Sequence, residues 1–382
     1  MVFKMKSLRL WLVLPLCVLL FAEVASAGQA NVFIYHRFDE NRYPSTNIST
    51  EIFAEQLAYL KQENYQVLSF GEVVRRIQQG ESLPEKAAAL CADDAYQSFA
   101  DGAMPIVREY GYPITLFVNT DAVGSSGYLD WQTIKGLHAE GVGIENHTAS
   151  HPYMVEMEEG ESFAAWRERI KKDILKSQQA FSQQLGYQPK SIAYTFGEYS
   201  DEVIGLVKEL GFESAFAQQS GVVHDKNDLF TLPRFPMGGP YATLKGFIDK
   251  LKMKPLVVLQ QEPVSPLIYK ENPPELLLQL ETADVDMGRV NCFVQGENSC
   301  TVAAVIGRPG WYRVIAEQPL SGRRNKYTLT VPGKKGGWHW FSQPWVNAER
   351  PALQSSLDVK KGSAAAFQAD VGKAGEAVTA DQ

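Results

Sequence analysis

The chain has 382 residues, with 37 Lys and Arg against 44 Asp and Glu, a formal net charge of −7 and 45% apolar residues. This balance excludes wholesale disorder, and the acidic excess excludes a nucleic-acid partner, because phosphate binding needs clustered Lys and Arg. The length predicts two domains, or one large barrel with an appendage.

The N-terminus reads as a targeting segment. Lys4, Lys6 and Arg9 precede an apolar run from Leu10 to Phe21, and Ala25-Ser26-Ala27 ends it with small residues. Residues 1–27 are therefore expected to be a secretory signal peptide cleaved after Ala27, with an uncleaved anchor as the alternative. No later segment reaches the roughly 18 apolar residues of a span. The expected mature chain has no stable membrane span and works in an oxidising space, periplasmic or secreted. Cys91 sits in an apolar run and reads as a buried small side chain. Cys292 and Cys300 could pair as a small disulfide.

From Asn31 to about Leu256, short apolar strands alternate with amphipathic helices. Strands are expected at 32–35, 66–69, 87–91, 114–118, 142–144, 191–194 and 214–217. Helices are expected through Ile52 to Leu60, from the Ser69/Glu72 capping pair to Gly80, around 100–110, from Trp131 to Gly141, over 162–185, and before Gly211. Such alternation implies parallel strands with crossover helices. With about seven repeats, a distorted (β/α) barrel is expected over 28–261, with its chemistry where strands run into loops. After Glu262 the Pro-rich "EPVSPLIYKENPP" leads into short strands without helical period, so a small all-β sandwich-like domain is expected over 262–350. Trp338 and Trp340 alternate as sandwich core would, although sugars also stack on such aromatics. Residues 351–382 are poor in large apolar groups and read as a disordered tail.

Two local patterns carry chemistry. In "ENHTASH", His147 and His151 stand four apart, a spacing that puts both imidazoles on one face of a helical turn within reach of one metal ion. They follow the strand 142–144. In "LCADDAYQSF", Asp93 and Asp94 follow the strand 87–91. One is explained as a helix N-cap; two adjacent carboxylates repel unless something positive is near. One carboxylate and two histidines make the three-ligand pattern of catalytic zinc, leaving the other carboxylate to take a proton from water.

The segments "YHRF", "CADDAYQSFADGAMPIVREYGYPITLFVNT", "GVGIENHTASHPYM" and "AYTFGEYS" appear in an order and spacing that resembles the polysaccharide deacetylases of the NodB-homology type, carbohydrate esterase family 4. The resemblance spans about residues 31–256. It implies Asp93 as general base and Asp94, His147 and His151 as metal ligands. Cys91, Ala92 and Ala95 depart from the family's T-F-D-D-G without removing a reacting group. The backbone N–H of Phe196, in Tyr194-Thr195-Phe196-Gly197, is implied as an oxyanion donor. The family's Arg and Pro ahead of that segment are absent. Arg234, in "LPRFP", is either a substitute that orients the base or a surface arginine between prolines. The family's late Leu-x-His is also absent. Tyr35-His36 fits a branch that opens with a Tyr-His pair, implying His36 as general acid. The other histidines, His138, His224 and His339, are expected on helix or loop surfaces.

The resemblance thus implies an exported, metal-dependent enzyme that hydrolyses N-acetyl groups of N-acetylglucosamine-containing glycans. The expected metal is zinc, with cobalt or nickel as alternatives, since availability decides among divalent ions at such a site. The expected partner is an acetylated polysaccharide. An O-acetyl glycan esterase and a degenerate glycan-binding protein are the competing readings.

Overall fold

The computed structural model describes residues 28–269, 271–294 and 299–348. The expected signal peptide and the expected disordered tail lie outside the described residues. Among the described residues, no helix is long and apolar enough to cross a membrane.

The first part is a curled α/β sheet. Six parallel strands follow one another in space as in the chain: β1 (Gln29–Tyr35), β2 (Ala87–Asp93), β3 (Thr115–Val118), β4 (Gly143–Asn146), β5 (Ser191–Ala193) and β6 (Ser214–Phe216). Val223–His224 adds an antiparallel edge beyond β1. Strand alternation sorts the side chains into two layers. Val32, Ile34, Ala89, Cys91, Phe117, Ala193 and Phe216 pack on one another inside the curl. Phe33, Tyr35, Leu90, Ala92, Leu116 and Ile144 pack outward against helices such as Thr50–Gln62. All seven residues of β2 are buried, as a parallel strand covered on both faces requires. The helices stop and start where the sequence provides for it: Ser69, Asp130, Ser162 and Ser200 each accept a backbone N–H at an N-cap, and Gly186 closes a helix in the left-handed region. The helix expected around 100–110 begins with a π-turn, Phe99–Ala103.

The segment from Leu232 to Pro236 bonds to both edges of this sheet. Leu232 bridges Phe216 of β6, and Phe235–Pro236 pairs with Phe33 and Ile34 of β1. Arg234 lies between the two attachments.

The second part is a sandwich of two four-stranded sheets. Leu276, Leu278 and Val314 of one sheet meet Tyr327, Leu329, Val331 and Trp345 of the other. A Cys292–Cys300 disulfide ties an edge strand of each sheet to the other. The expected division at 261/262 would cut the sandwich strand Val258–Glu262, and Met253–Pro255 already pairs with Trp338–Trp340. We therefore propose a division before Met253. Trp338 and Trp340 do not belong to the sandwich core. They point to its outer face, where Trp340 packs against Phe235 and donates its indole N–H to the carbonyl of Ser220. His224 and His339 are also not on helix or loop surfaces: each lies in a strand, His224 buried by pairing with β1.

Candidate active site

The site forms where the parallel strands end, and the alternation of β2 explains its first residue. Positions 87, 89 and 91 face inward, so Asp93 does too. Its carboxylate is buried, and the fully buried Arg234 donates to both oxygens, at 2.8 and 2.9 Å. Arg234 is held in turn by the carbonyl of Ala217 and the ring of Phe117. The surface alternative for this arginine does not hold. Cys91, whose Sγ lies 3.4 Å from Arg234, has its thiol pushed up to about 12 by burial and is no nucleophile.

Past β2 the chain turns through Asp94 and Ala95, both at positive φ. This brings Asp94 Oδ1 to 3.5 Å from His147 Nε2 and 3.3 Å from His151 Nε2. The histidines do not share a helical turn. Both sit in the loop after β4, with Thr148 and His151 at positive φ. That loop is fastened by Asp173, which accepts the N–H groups of Ala149 and Ser150, and by Asn146, which accepts that of Thr148. Phe196 also has positive φ, so five of the seven non-glycine residues of this kind among the described residues lie in these loops. Strained backbone of this sort concentrates at functional sites. Gly197 follows Phe196 at φ 72°, and a Cβ there would meet Gln218 at 2.3 Å.

The donor set suits a divalent ion. One ligand atom each from Asp94, His147 and His151 lie within 4.8 Å of one another. Asp94 Oδ1 is buried with no hydrogen-bond partner, its two histidine contacts lacking hydrogen-bond geometry. His147 Nδ1 lies 2.8 Å from the carbonyl of Ala193, which fixes the proton there and leaves Nε2 a free lone pair. Burial opposes charge on Asp94, but the surrounding imidazoles outweigh it and hold its carboxyl well below the usual range. Burial and the neighbouring His147 push His151 down to about 4, the neutral form a ligand needs.

His36, directly after β1, lines the same cavity of about 910 Å³ as Asp93, Asp94, His147, His151 and Phe196. Its Nε2 is 3.5 Å from Gln218 Nε2, and burial lowers its pKa. The Phe196 ring lies edge-on to His151 and stacks on Tyr153, with centroids 4.5 and 4.1 Å apart.

Residues 80–215 match the family model described as polysaccharide deacetylase. This stretch is similar to a polysaccharide deacetylase domain. Among curated relatives, the poly-β-1,6-N-acetyl-D-glucosamine N-deacetylase of Escherichia coli strain K12 is 25% identical over 223 residues, covering 49% of this chain and 33% of that protein. The Staphylococcus aureus strain MRSA252 enzyme of the same name is 23% identical over 217 residues, covering 55% of this chain and 74% of its own. The match thus spans about a third of the length of the E. coli relative. The Streptococcus pyogenes deacetylase PplD, solved with acetate, shares the fold at a TM-score of 0.53 and 23% identity, over 59% of this chain and 99% of that one.

The curled sheet and its loops do not enclose the cavity alone. Arg324, Asn325, Lys326 and Trp345 of the sandwich line it too, with Asn119 and Tyr96 from the strand ends. Arg323 pairs with Glu198 and Glu156 at 2.8 and 2.6 Å, and Arg324 donates to the carbonyl of Phe196 at 3.3 Å. Nothing in the sequence joins these sandwich residues to the site, because they reach it only through the packing of the two parts. Asn119 was within reach of the strand-end rule, because it directly follows β3. The family match begins beyond His36, whose place in the cavity is known from the geometry alone.

Proposed function

We propose that the chain is an exported, metal-dependent polysaccharide N-deacetylase acting on N-acetylglucosamine polymers, of the β-1,6-linked class for which its E. coli and S. aureus relatives are named. The observation that supports this best is the meeting of an Asp94–His147–His151 donor cluster with a buried carboxylate, Asp93, gripped by Arg234.

Asp94, His147 and His151 would hold the ion, zinc first among the divalent metals that accept this donor set. When bound, it supplies Lewis-acid polarisation of an acetyl carbonyl and acidifies water. Asp93 takes the proton of the attacking water, its carboxylate aimed by the two-pronged Arg234 contact. The backbone N–H of Phe196 donates to the oxygen that becomes negative. His36 gives a proton to the departing nitrogen as the carbon–nitrogen bond breaks. The products are acetate and a free amine on the polymer. Export rests on the N-terminal pattern of residues 1–27.

The test is acetate release by the purified chain from β-1,6-linked N-acetylglucosamine oligomers and from O-acetylated xylan, with metal content measured on the same sample. Release from the N-acetyl oligomers is expected. Release from the O-acetylated glycan alone would overturn the N-acetyl assignment, and metal binding without release from either would overturn the enzyme.

A further inference from the structure

The sandwich sheet nearest the barrel has an unusual outer face. Its strands put Tyr327, Leu329 and Val331 into the core, so Lys326, Thr328 and Thr330 face out. Register carries the same face onto neighbouring strands: Thr330 pairs with Trp340 and Asn291, and Thr328 with Phe293. Trp338 is 40% exposed and Phe293 54%. Across from them stand helix Leu244–Leu251 and Tyr241, itself 52% exposed. The space between is a groove of about 830 Å³, within the range of ligand sites. It is continuous with the active-site cavity, because Pro236, Tyr241 and Lys326 line both.

We propose that this groove binds the sugar units of the polymer that lie beyond the one being deacetylated, stacking them on Trp338, Phe293 and Tyr241 and selecting units that still carry their acetyl groups. The proposal rests on the reading of the substrate as a glycan chain. Three facts support it. Exposed aromatic rings in one groove need an occupant, since isolated apolar side chains are ordinary but a contiguous set is not. A pyranose ring offers apolar C–H faces to such rings and hydroxyls to the threonines and lysines between them. The charge is also one-sided. Lys250, Lys252 and Lys326 line the groove, Lys326 has no side-chain hydrogen bond or ion pair among the described residues, and the lining Asp249 is already paired with Lys245 at 2.7 Å. A neutral acetylated unit suits these ammonium groups; a deacetylated unit, itself an ammonium, is repelled.

The experiment compares a dimer and a hexamer of β-1,6-linked N-acetylglucosamine on the full chain and on Trp338→Ala and Phe293→Ala. Binding is followed by calorimetry and turnover by acetate release. The wild-type protein should favour the hexamer in affinity and in kcat/KM, and either variant should reduce that preference by about tenfold. Ile306→Ala, which removes an exposed apolar side chain outside the groove, should leave the preference as it is. A hexamer of glucosamine should compete poorly with the acetylated one. Equal handling of dimer and hexamer, a preference untouched by both groove variants, or full competition by glucosamine would each overturn the proposal while leaving the deacetylase reading intact. Trp338-dependent binding of the hexamer without acetate release would do the reverse.

Discussion

Arg234 and Asp93 stand 141 positions apart in the chain and form a two-pronged ion pair from which solvent is excluded on both sides. Removing one partner of such a pair strands the other as a buried charge, so Arg234→Met should cost about 3–5 kcal/mol of stability. Adding Asp93→Asn to that variant should return part of the loss, measured by denaturant unfolding of the two single variants and the double. Strict additivity would mean the pair is not coupled. Asp93→Asn alone should lower kcat of order 10²–10⁴ while bound metal stays at the wild-type level.

Bound metal should instead follow Asp94, His147 and His151. His151→Ala is expected to lower the divalent metal measured by mass spectrometry and to abolish acetate release, and stripping the wild-type protein with a chelator should give the same loss until metal is restored. Full occupancy in the variant would show that the ion sits elsewhere.

His36→Ala tests the proton donor through the leaving group. An amine departs only with a proton, whereas a nitrophenolate departs without one. The variant should lose acetate release from N-acetyl oligomers by about two orders of magnitude and keep most of its rate on p-nitrophenyl acetate. Equal losses on both substrates would assign His36 to shaping the cavity, not to proton transfer.

Glu145 of β4, two residues before His147, gives a further pH dependence. Burial pushes its carboxyl up to about 7 against an ordinary value of 4.5, although it accepts the N–H of Ser191. A folded chain that keeps a proton which the unfolded chain releases is favoured at low pH. Glu145 therefore supports stability below about 4.5 and loses that support as pH rises to about 7. Glu145→Gln should raise Tm relative to wild type at pH 8 and do so less at pH 5. A constant difference across that range would contradict the assignment.

The sequence exposed Asp93 as one of two adjacent carboxylates after a buried strand, and the structure adds that the alternation turning 87, 89 and 91 inward turns 93 inward too. It exposed His147 and His151 because they stand four apart after a strand end, but not how they converge. Their loop leaves helical geometry at Thr148 and His151 and is tied to Asp173, more than twenty residues on. The role of Arg234 could not be chosen from its neighbours, since what buries it is the meeting of two sheet edges. The tryptophans show the same limit. Alternation separates the faces of Trp338–Val346 but does not say which one a second sheet covers, and here it is the face carrying Trp345. The burial of His224 escapes the sequence for a like reason, since it arises from an edge strand two residues long.

The stretch from Leu232 to Pro236 is at once the stave that joins the two rims of the sheet and the bearer of Arg234. If Asp93 is the base proposed above, hydrolytic competence is thereby made conditional on closure: a molecule whose rims have parted has also withdrawn the cation that aims this carboxylate.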